Sequence, residues 1–189
     1  MKLRIIAGEL KHRVIEVPKK FSAHPMGERI RAALFNSLAG RIERAKVLDA
    51  FGGSGACGLE ALSRGAGSVL ILEKERSVFR YLNKNLKSLS LDKDNRIHIS
   101  KAPALTYLRS NQNLTFDIII CDPPYELAEN MKSDADNQLF QTLQYLSKRL
   151  DKNGVLVLSW PDKINLPKIN NLELQKEKTY AGAKLGWYS

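Results

Sequence analysis

Leu48-Asp49-Ala50-Phe51-Gly52-Gly53-Ser54-Gly55-Ala56-Cys57-Gly58-Leu59-Glu60 decides the fold. The run Lys46–Phe51 reads as a buried strand, and an apolar helical segment near 56–64 follows the glycines. Glycine lets the backbone turn tightly and pass close to a ligand. The helix then starts with its free amides facing the crevice at the strand end. Gly53, Gly55 and Gly58 fit the spacing G-x-G-x-x-G, a pattern that gains meaning only between a strand and a helix.

Working outward, the same alternation repeats. Strand-like runs cover Lys46–Phe51, Ser68–Glu73, Arg96–Ser100, Phe116–Cys121 and Gly154–Trp160. Helical spacing lies between them near 56–64, 76–89, 103–110 and 135–150. This predicts an α/β fold: a Rossmann-like, mostly parallel, doubly wound sheet. Leu172–Tyr180 and Lys184–Tyr188, around Ala181-Gly182-Ala183, predict an antiparallel C-terminal edge. At the other end, 3–8 and 10–17 predict a small β-hairpin turning at Gly8-Glu9, stopped by Pro18-Lys19-Lys20. His24–Gly27 reads as a loop and Glu28–Leu38 as a helix. The organisation expected is a basic hairpin arm over 1–20 and one domain over 21–189. The longest irregular stretch, Tyr125–Asp134, is expected to frame a substrate mouth.

Composition narrows the class. No apolar run approaches the roughly 20 residues of a membrane span, and the N-terminus has no signal-peptide core. Cys57 and Cys121 form neither a disulfide framework nor a CxxC metal site. A soluble, cytoplasmic protein is expected, with no membrane partner and no metal. Net charge is +10, of which residues 1–46 carry +7 through eleven Lys/Arg against four acids. So concentrated a basic N-terminus suggests contact with a phosphate backbone.

Two carboxylates define the nucleotide end. Glu73 closes the second strand about twenty residues after the glycine loop, where an acid binds a ribose diol. That acid serves both NAD enzymes and S-adenosylmethionine (SAM) enzymes. Asp49 favours SAM, because a carboxylate there can meet a cationic amino-acid moiety, whereas a pyrophosphate gains nothing from it. Further on, Phe116–Cys121 ends in Asp122-Pro123-Pro124-Tyr125. Proline cannot continue a sheet ladder and fixes φ, so the loop leaves the sheet stiff. It presents an acceptor and an aromatic face in one geometry, as chemistry on an exocyclic amine of a base requires.

Leu48–Gly55 resembles motif I of the class I SAM-dependent methyltransferases, and Asp122–Tyr125 resembles motif IV of those acting on exocyclic amines. Arg4–Gly8, Arg29–Asn36, Gly58–Ala66 and the tail Lys178–Tyr180 with Lys184-Leu185 are similar to one family, the bacterial 16S rRNA guanine-N2 methyltransferases (RsmD). The resemblance implies SAM as cofactor, held by Asp49, Phe51, Gly53, Ser54, Gly55, Glu73, Lys74 and Ala102. It implies chemistry at Asp122, Pro123, Pro124 and Tyr125. Arg4, Lys11, Arg13, Arg29 and Arg31 are the expected RNA contacts, with Arg29 and Arg31 equally suited to binding phosphate or to covering the sheet. The implied partner is 16S rRNA, within a small ribosomal subunit or its precursor, met by a monomer. Three departures stand out: His24-Pro25-Met26-Gly27-Glu28-Arg29 where the family has Arg-Pro-Thr-Thr-Asp-Arg, Ser100-Lys101-Ala102 where an acid is common, and Ser159-Trp160 where an acid often ends the fifth strand.

Other readings keep parts of the pattern. A DNA or other RNA adenine-N6 methyltransferase, or a protein-amine methyltransferase, can use the same loop. An NAD(P) oxidoreductase with a basic arm, or a non-catalytic RNA-binding or assembly protein on this fold, would also show the glycine loop. His12 and His98 read as surface or strand residues, Cys57 and Cys121 as small buried fillers, and Trp187 and Tyr188 as packing on the C-terminal strands.

Overall fold

The computed structural model of the protein describes residues 1–18, 25–130, 137–166, 168–180 and 182–189. The expected arm boundary at 20/21, Lys19-Lys20, His24, the start of the helix expected at 135, residues 131–134 of the expected mouth and Ala181 lie outside these. Nine strands and six helices follow one another among the described residues. They are β1 (Lys2–Arg4), β2 (Val14–Glu16), α1 (Glu28–Ser37), β3 (Lys46–Asp49), α2 (Ala56–Ser63), β4 (Ser68–Leu72), α3 (Arg76–Ser88), β5 (Ile97–Ser100), α4 (Ala104–Ser110), β6 (Phe116–Cys121), α5 (Tyr125–Glu129), α6 (Gln138–Ser147), β7 (Leu150–Pro161), β8 (Leu174–Tyr180) and β9 (Ala183–Tyr188).

The main sheet has the order β5-β4-β3-β6-β7-β9-β8. β5, β4, β3, β6 and β7 are parallel; β9 pairs antiparallel with both β7 and β8. The chain winds outward from β3 to β5, then returns to β6 beside β3. That reversal opens a crevice at the carboxyl ends of β3 and β6, where ligands of such sheets bind.

Alternation along each strand supplies two packed faces. Val47, Val69, Ile71, Ile118, Ile120 and Val157 join the helices α1–α3 in one core. Leu48, Leu70, Leu72, Ile119, Leu156 and Leu158 pack with α4–α6 on the other side. Helix α3 shows the expected stripe, with Val78, Leu82, Asn85 and Leu86 buried and Glu75 capping through Ser77 N. Helix α6 is shorter than its periodicity predicts, because Asn137 caps it at Phe140 N and β7 begins at Leu150. The stretch after the double proline is not wholly irregular either: its first five residues form α5.

The N-terminal hairpin departs most from expectation. Its ladder is only Lys2–Arg4 against Val14–Glu16, rather than 3–8 against 10–17. The residues between are drawn onto α2. Ile6 N and Ala7 N donate to the Glu60 carboxylate, Glu9 N to Ser63 O, and Leu10 N to Ser63 Oγ. Those amides are therefore lost to a β ladder. Gly8, at φ +85, sits so close over Ser63 that no side chain fits there. Leu3, Ile5, Ile15 and Val17 enter the same core as α1–α3. The hairpin is thus a packed part of the molecule as well as a basic one.

Candidate active site

The register of the central strands builds the site. Asp49 lies beside Ile120, and Ala50 N donates to Ile120 O at 2.9 Å. The glycine loop after β3 and the double-proline turn after β6 therefore emerge side by side. Between them lies a cavity of about 520 Å³, a size suited to a cofactor.

Asp49 is 1% exposed, and its Oδ2 accepts from Gly58 N at 2.8 Å, in the first turn of α2. Burial dominates its ionisation and pushes its pKa up to about 7. The Gly58 amide pulls the other way, and the charges of Asp122 and Glu73 add to the rise. Glu73 accepts from Gly53 N at 2.9 Å and Glu75 N at 2.6 Å. Its pKa is raised as well, by burial first, against those two amides. Asp122, half-buried after β6, is pushed up to about 6 by burial, opposed by a hydrogen bond from the Ser159 side chain.

Gly55 starts α2 at φ +90, and a Cβ there would lie 2.6 Å from Leu82 Cδ1. Only glycine makes that turn against that neighbour. Ser54 lines the same cavity, and its buried Oγ has no hydrogen-bond partner among the described residues. An unpartnered buried hydroxyl is costly unless a ligand completes it.

The expected residues divide. Asp49, Phe51, Gly53, Ser54, Glu73, Lys74, Ala102, Asp122 and Pro124 line the cavity, whereas Gly55, Pro123 and Tyr125 do not. Tyr125 is 41% exposed at the rim, where a ring can meet a base arriving from solvent. Cys57 and Cys121 are buried, their thiols pushed well up by burial first; neither suits a nucleophile. Trp187 and Tyr188 are buried in β9.

Among the expected RNA contacts, Arg4, Lys11, Arg13 and Arg29 are exposed. Arg31 is not. It is 1% exposed, donates to Met26 O at 3.0 Å and Arg4 O at 2.6 Å, and lies 3.9 Å from Glu60. An internal guanidinium spent on the chain's own carbonyls cannot reach a phosphate, so Arg31 leaves the RNA set and ties α1 to the hairpin. Sequence reasoning also passed over Glu60 and Asn85, and met Ser159 only as a departure from the family pattern. Glu60 carried a legible signal, a lone carboxylate inside the apolar helix 56–63. Asn85 sits on the buried stripe of α3, where an amide among apolar positions marks a hydrogen-bonding duty.

The chain fits a cationic cofactor. Three carboxylates border one cavity, and burial has raised all three. A positive ligand between them would restore their charge at little cost.

The family model described as Conserved hypothetical protein 95 matches residues 3–189. The chain belongs to this family. A Haemophilus influenzae relative in it, ribosomal RNA small subunit methyltransferase D, is 33% identical over 178 residues, 94% of this chain and 88% of the relative. The Escherichia coli protein of the same name is 38% identical over 123 residues, 65% of this chain and 60% of its own. A solved structure, the putative methyltransferase yhhF from Escherichia coli, superposes with TM-score 0.82 at 30% identity, covering 100% of this chain and 97% of that one. These relatives are ribosomal RNA small subunit methyltransferases by name and the solved structure a putative methyltransferase, so the family resemblance and the fold class expected from the sequence hold.

Proposed function

We propose that this protein methylates the exocyclic N2 amine of a guanine in small-subunit (16S) ribosomal RNA, with SAM as methyl donor. The observation that carries the reading is the convergence of Asp49, Glu73 and Asp122 on one cavity, between a glycine loop and an Asp-Pro-Pro-Tyr turn. Asp49 would hold the cationic amino-acid end of the cofactor, and Glu73 its ribose. Lys74, Phe51 and Ala102 would flank it, and Ser54 would offer its unpartnered hydroxyl. When bound, SAM supplies a methyl group on a sulfonium, an electrophile that needs no further activation.

The protein's task lies on the amine side. The N2 lone pair of guanine is delocalised into the ring, so the amine is a poor nucleophile. Asp122 and the Pro123 carbonyl would accept its N–H groups, localise that lone pair and aim it. The two prolines hold these acceptors rigidly. Tyr125, exposed at the rim, would stack on the base and hold it in plane. Ser159 would keep the Asp122 carboxylate oriented. Rate then comes from positioning and electrostatics, and Asp122 or water would take a proton from the secondary ammonium formed at N2, leaving the neutral methylated amine.

Arg4, Lys11, Arg13 and Arg29 would grip flanking phosphates, and the target base must stand unstacked to reach the turn. No helix among the described residues is long and apolar enough to cross a membrane. The protein would act as a monomer in the cytoplasm, on rRNA in a small ribosomal subunit or its precursor. Labelled methyl from SAM, offered to 30S particles, naked 16S rRNA and DNA, tests this by nucleoside analysis. The label should appear as N2-methylguanosine in rRNA, with 30S particles preferred. Label in N6-methyladenine, or none in any substrate, would overturn the reading.

A further inference from the structure

Asn85, 1% exposed on α3, bonds to two separate parts of the chain. Its Oδ1 accepts from Glu16 N at 2.8 Å, and its Nδ2 donates to Glu16 O at 2.9 Å. The same Nδ2 donates to Ser54 O at 2.9 Å. The amide thus reads both backbone groups of β2 and fixes the backbone of the glycine loop. Both N–H donors are spent, and no other side chain of this size offers two donors and an acceptor in one plane.

What lies at each end gives this bridge a meaning. Glu16 belongs to the two-stranded hairpin that carries Arg4, Lys11 and Arg13 on exposed positions. Arg13 also donates to Ser88 O, so the hairpin meets α3 again three residues beyond Asn85. Ser54 lies in the cavity wall, as does Val17, the residue after Glu16. A buried amide whose partners are all backbone leaves little slack, since an unmade bond here strands a buried polar group. The hairpin and the glycine loop therefore share one fastening point.

We propose that Asn85 is a positioning residue coupling the N-terminal hairpin to the glycine loop, so that RNA on the hairpin and cofactor in the cavity strengthen each other's binding. The proposal rests on the functional reading above. Each ligand favours the arrangement with all three Asn85 bonds made. Whichever binds first meets the ordering cost for the other, and the effect is reciprocal.

The test measures the affinity of 16S rRNA with and without saturating S-adenosylhomocysteine. In the unaltered protein the RNA should bind about tenfold tighter with it, inside the usual range of coupling between sites. Asn85→Asp keeps the shape but sets a carboxylate against two carbonyls, and should bring the ratio within about twofold. Asn85→Ala removes the bonds without adding charge and serves where the aspartate variant does not fold. Leu86→Ala, its buried neighbour on α3, loosens the same helix without touching the bridge and should keep the tenfold ratio. Amide exchange at Ile5 and His12, paired in the hairpin outside the cavity, should slow with S-adenosylhomocysteine only when Asn85 is present. A ratio near one in the unaltered protein, an unchanged ratio in both Asn85 variants, or its loss in Leu86→Ala would overturn the proposal. A protein that methylates rRNA yet shows no coupling rejects this inference alone. One that neither binds S-adenosylhomocysteine nor transfers methyl rejects the functional reading.

Discussion

Asp49 and Glu60 are buried carboxylates on the same loop–helix unit, and their surroundings are opposite. Glu60 is fully enclosed, yet it receives Ile6 N, Ala7 N and the Arg64 guanidinium at 2.6 Å, with Arg31 at 3.9 Å. Every face of it meets a donor that the chain itself provides. Asp49 meets the Gly58 and Phe51 amides and otherwise looks toward Glu73, Asp122 and a cavity. Its pKa rises to about 7 because burial, with the neighbouring charges of Asp122 and Glu73, outweighs the Gly58 and Phe51 amides. The first arrangement completes a fold; the second leaves room for a positive charge from outside.

Breaking each half of that comparison should give different failures. The largest effect is expected at the reaction centre. Asp122→Ala should lower kcat by roughly 10²–10⁴-fold while S-adenosylhomocysteine affinity stays within a few-fold; single-turnover kinetics and calorimetry would separate the two. Near-normal turnover would remove Asp122 from the mechanism. Next, Glu60→Ala leaves a buried Arg31 without its carboxylate. It should cost about 3–5 kcal/mol in urea denaturation, with the hairpin amides losing exchange protection first.

The cavity carboxylates predict a pH effect of definite sign. Asp49 and Asp122 have folded pKa values above their usual carboxylate range. Without cofactor, the stability they confer is present at low pH and is lost as pH rises from about 4 to about 7, because the unfolded chain ionises first. A cationic ligand reverses this by favouring the ionised form. The thermal shift caused by SAM should therefore be larger at pH 8 than at pH 5.5, and Asp49→Asn should flatten the difference. A shift independent of pH in the unaltered protein would contradict the assignment. The smallest effect is expected from Ser159→Ala. Loss of the hydrogen bond that lowers the Asp122 pKa should move the acid limb of the kcat profile to higher pH, with kcat at pH 8 changed by no more than about threefold.

Much of this architecture was legible because it rests on local rules. Strand β6 falls at Phe116–Cys121 as read, since a β-branched run stopped by two prolines admits few other conformations. The glycine loop, Glu73 and the double-proline turn could be placed because spacing and strand ends fix them. What sequence could not show was pairing over distance. The fate of Arg31 was decided by carbonyls of Arg4 and Met26, and the hairpin tip by Glu60 and Ser63. Charge and spacing left Arg29 and Arg31 equally suited to phosphate or to covering the sheet. Burial shows that one of them belongs to the interior. Ser159 looked like a departure from the family pattern, and its contact with Asp122 appears only once β6 and β7 are side by side.

If the buried carboxylates form a seat for a cationic methyl donor, calorimetric titration with SAM, S-adenosylhomocysteine and NAD at pH 6 and pH 8 will read it out. SAM affinity should rise with pH, by up to about tenfold per unit for each carboxylate that ionises. The gain should be smaller for S-adenosylhomocysteine, which lacks the sulfonium charge, and NAD should not bind. Equal pH dependence for SAM and S-adenosylhomocysteine with Asp49→Asn binding unchanged, or tight binding of NAD, would contradict the account.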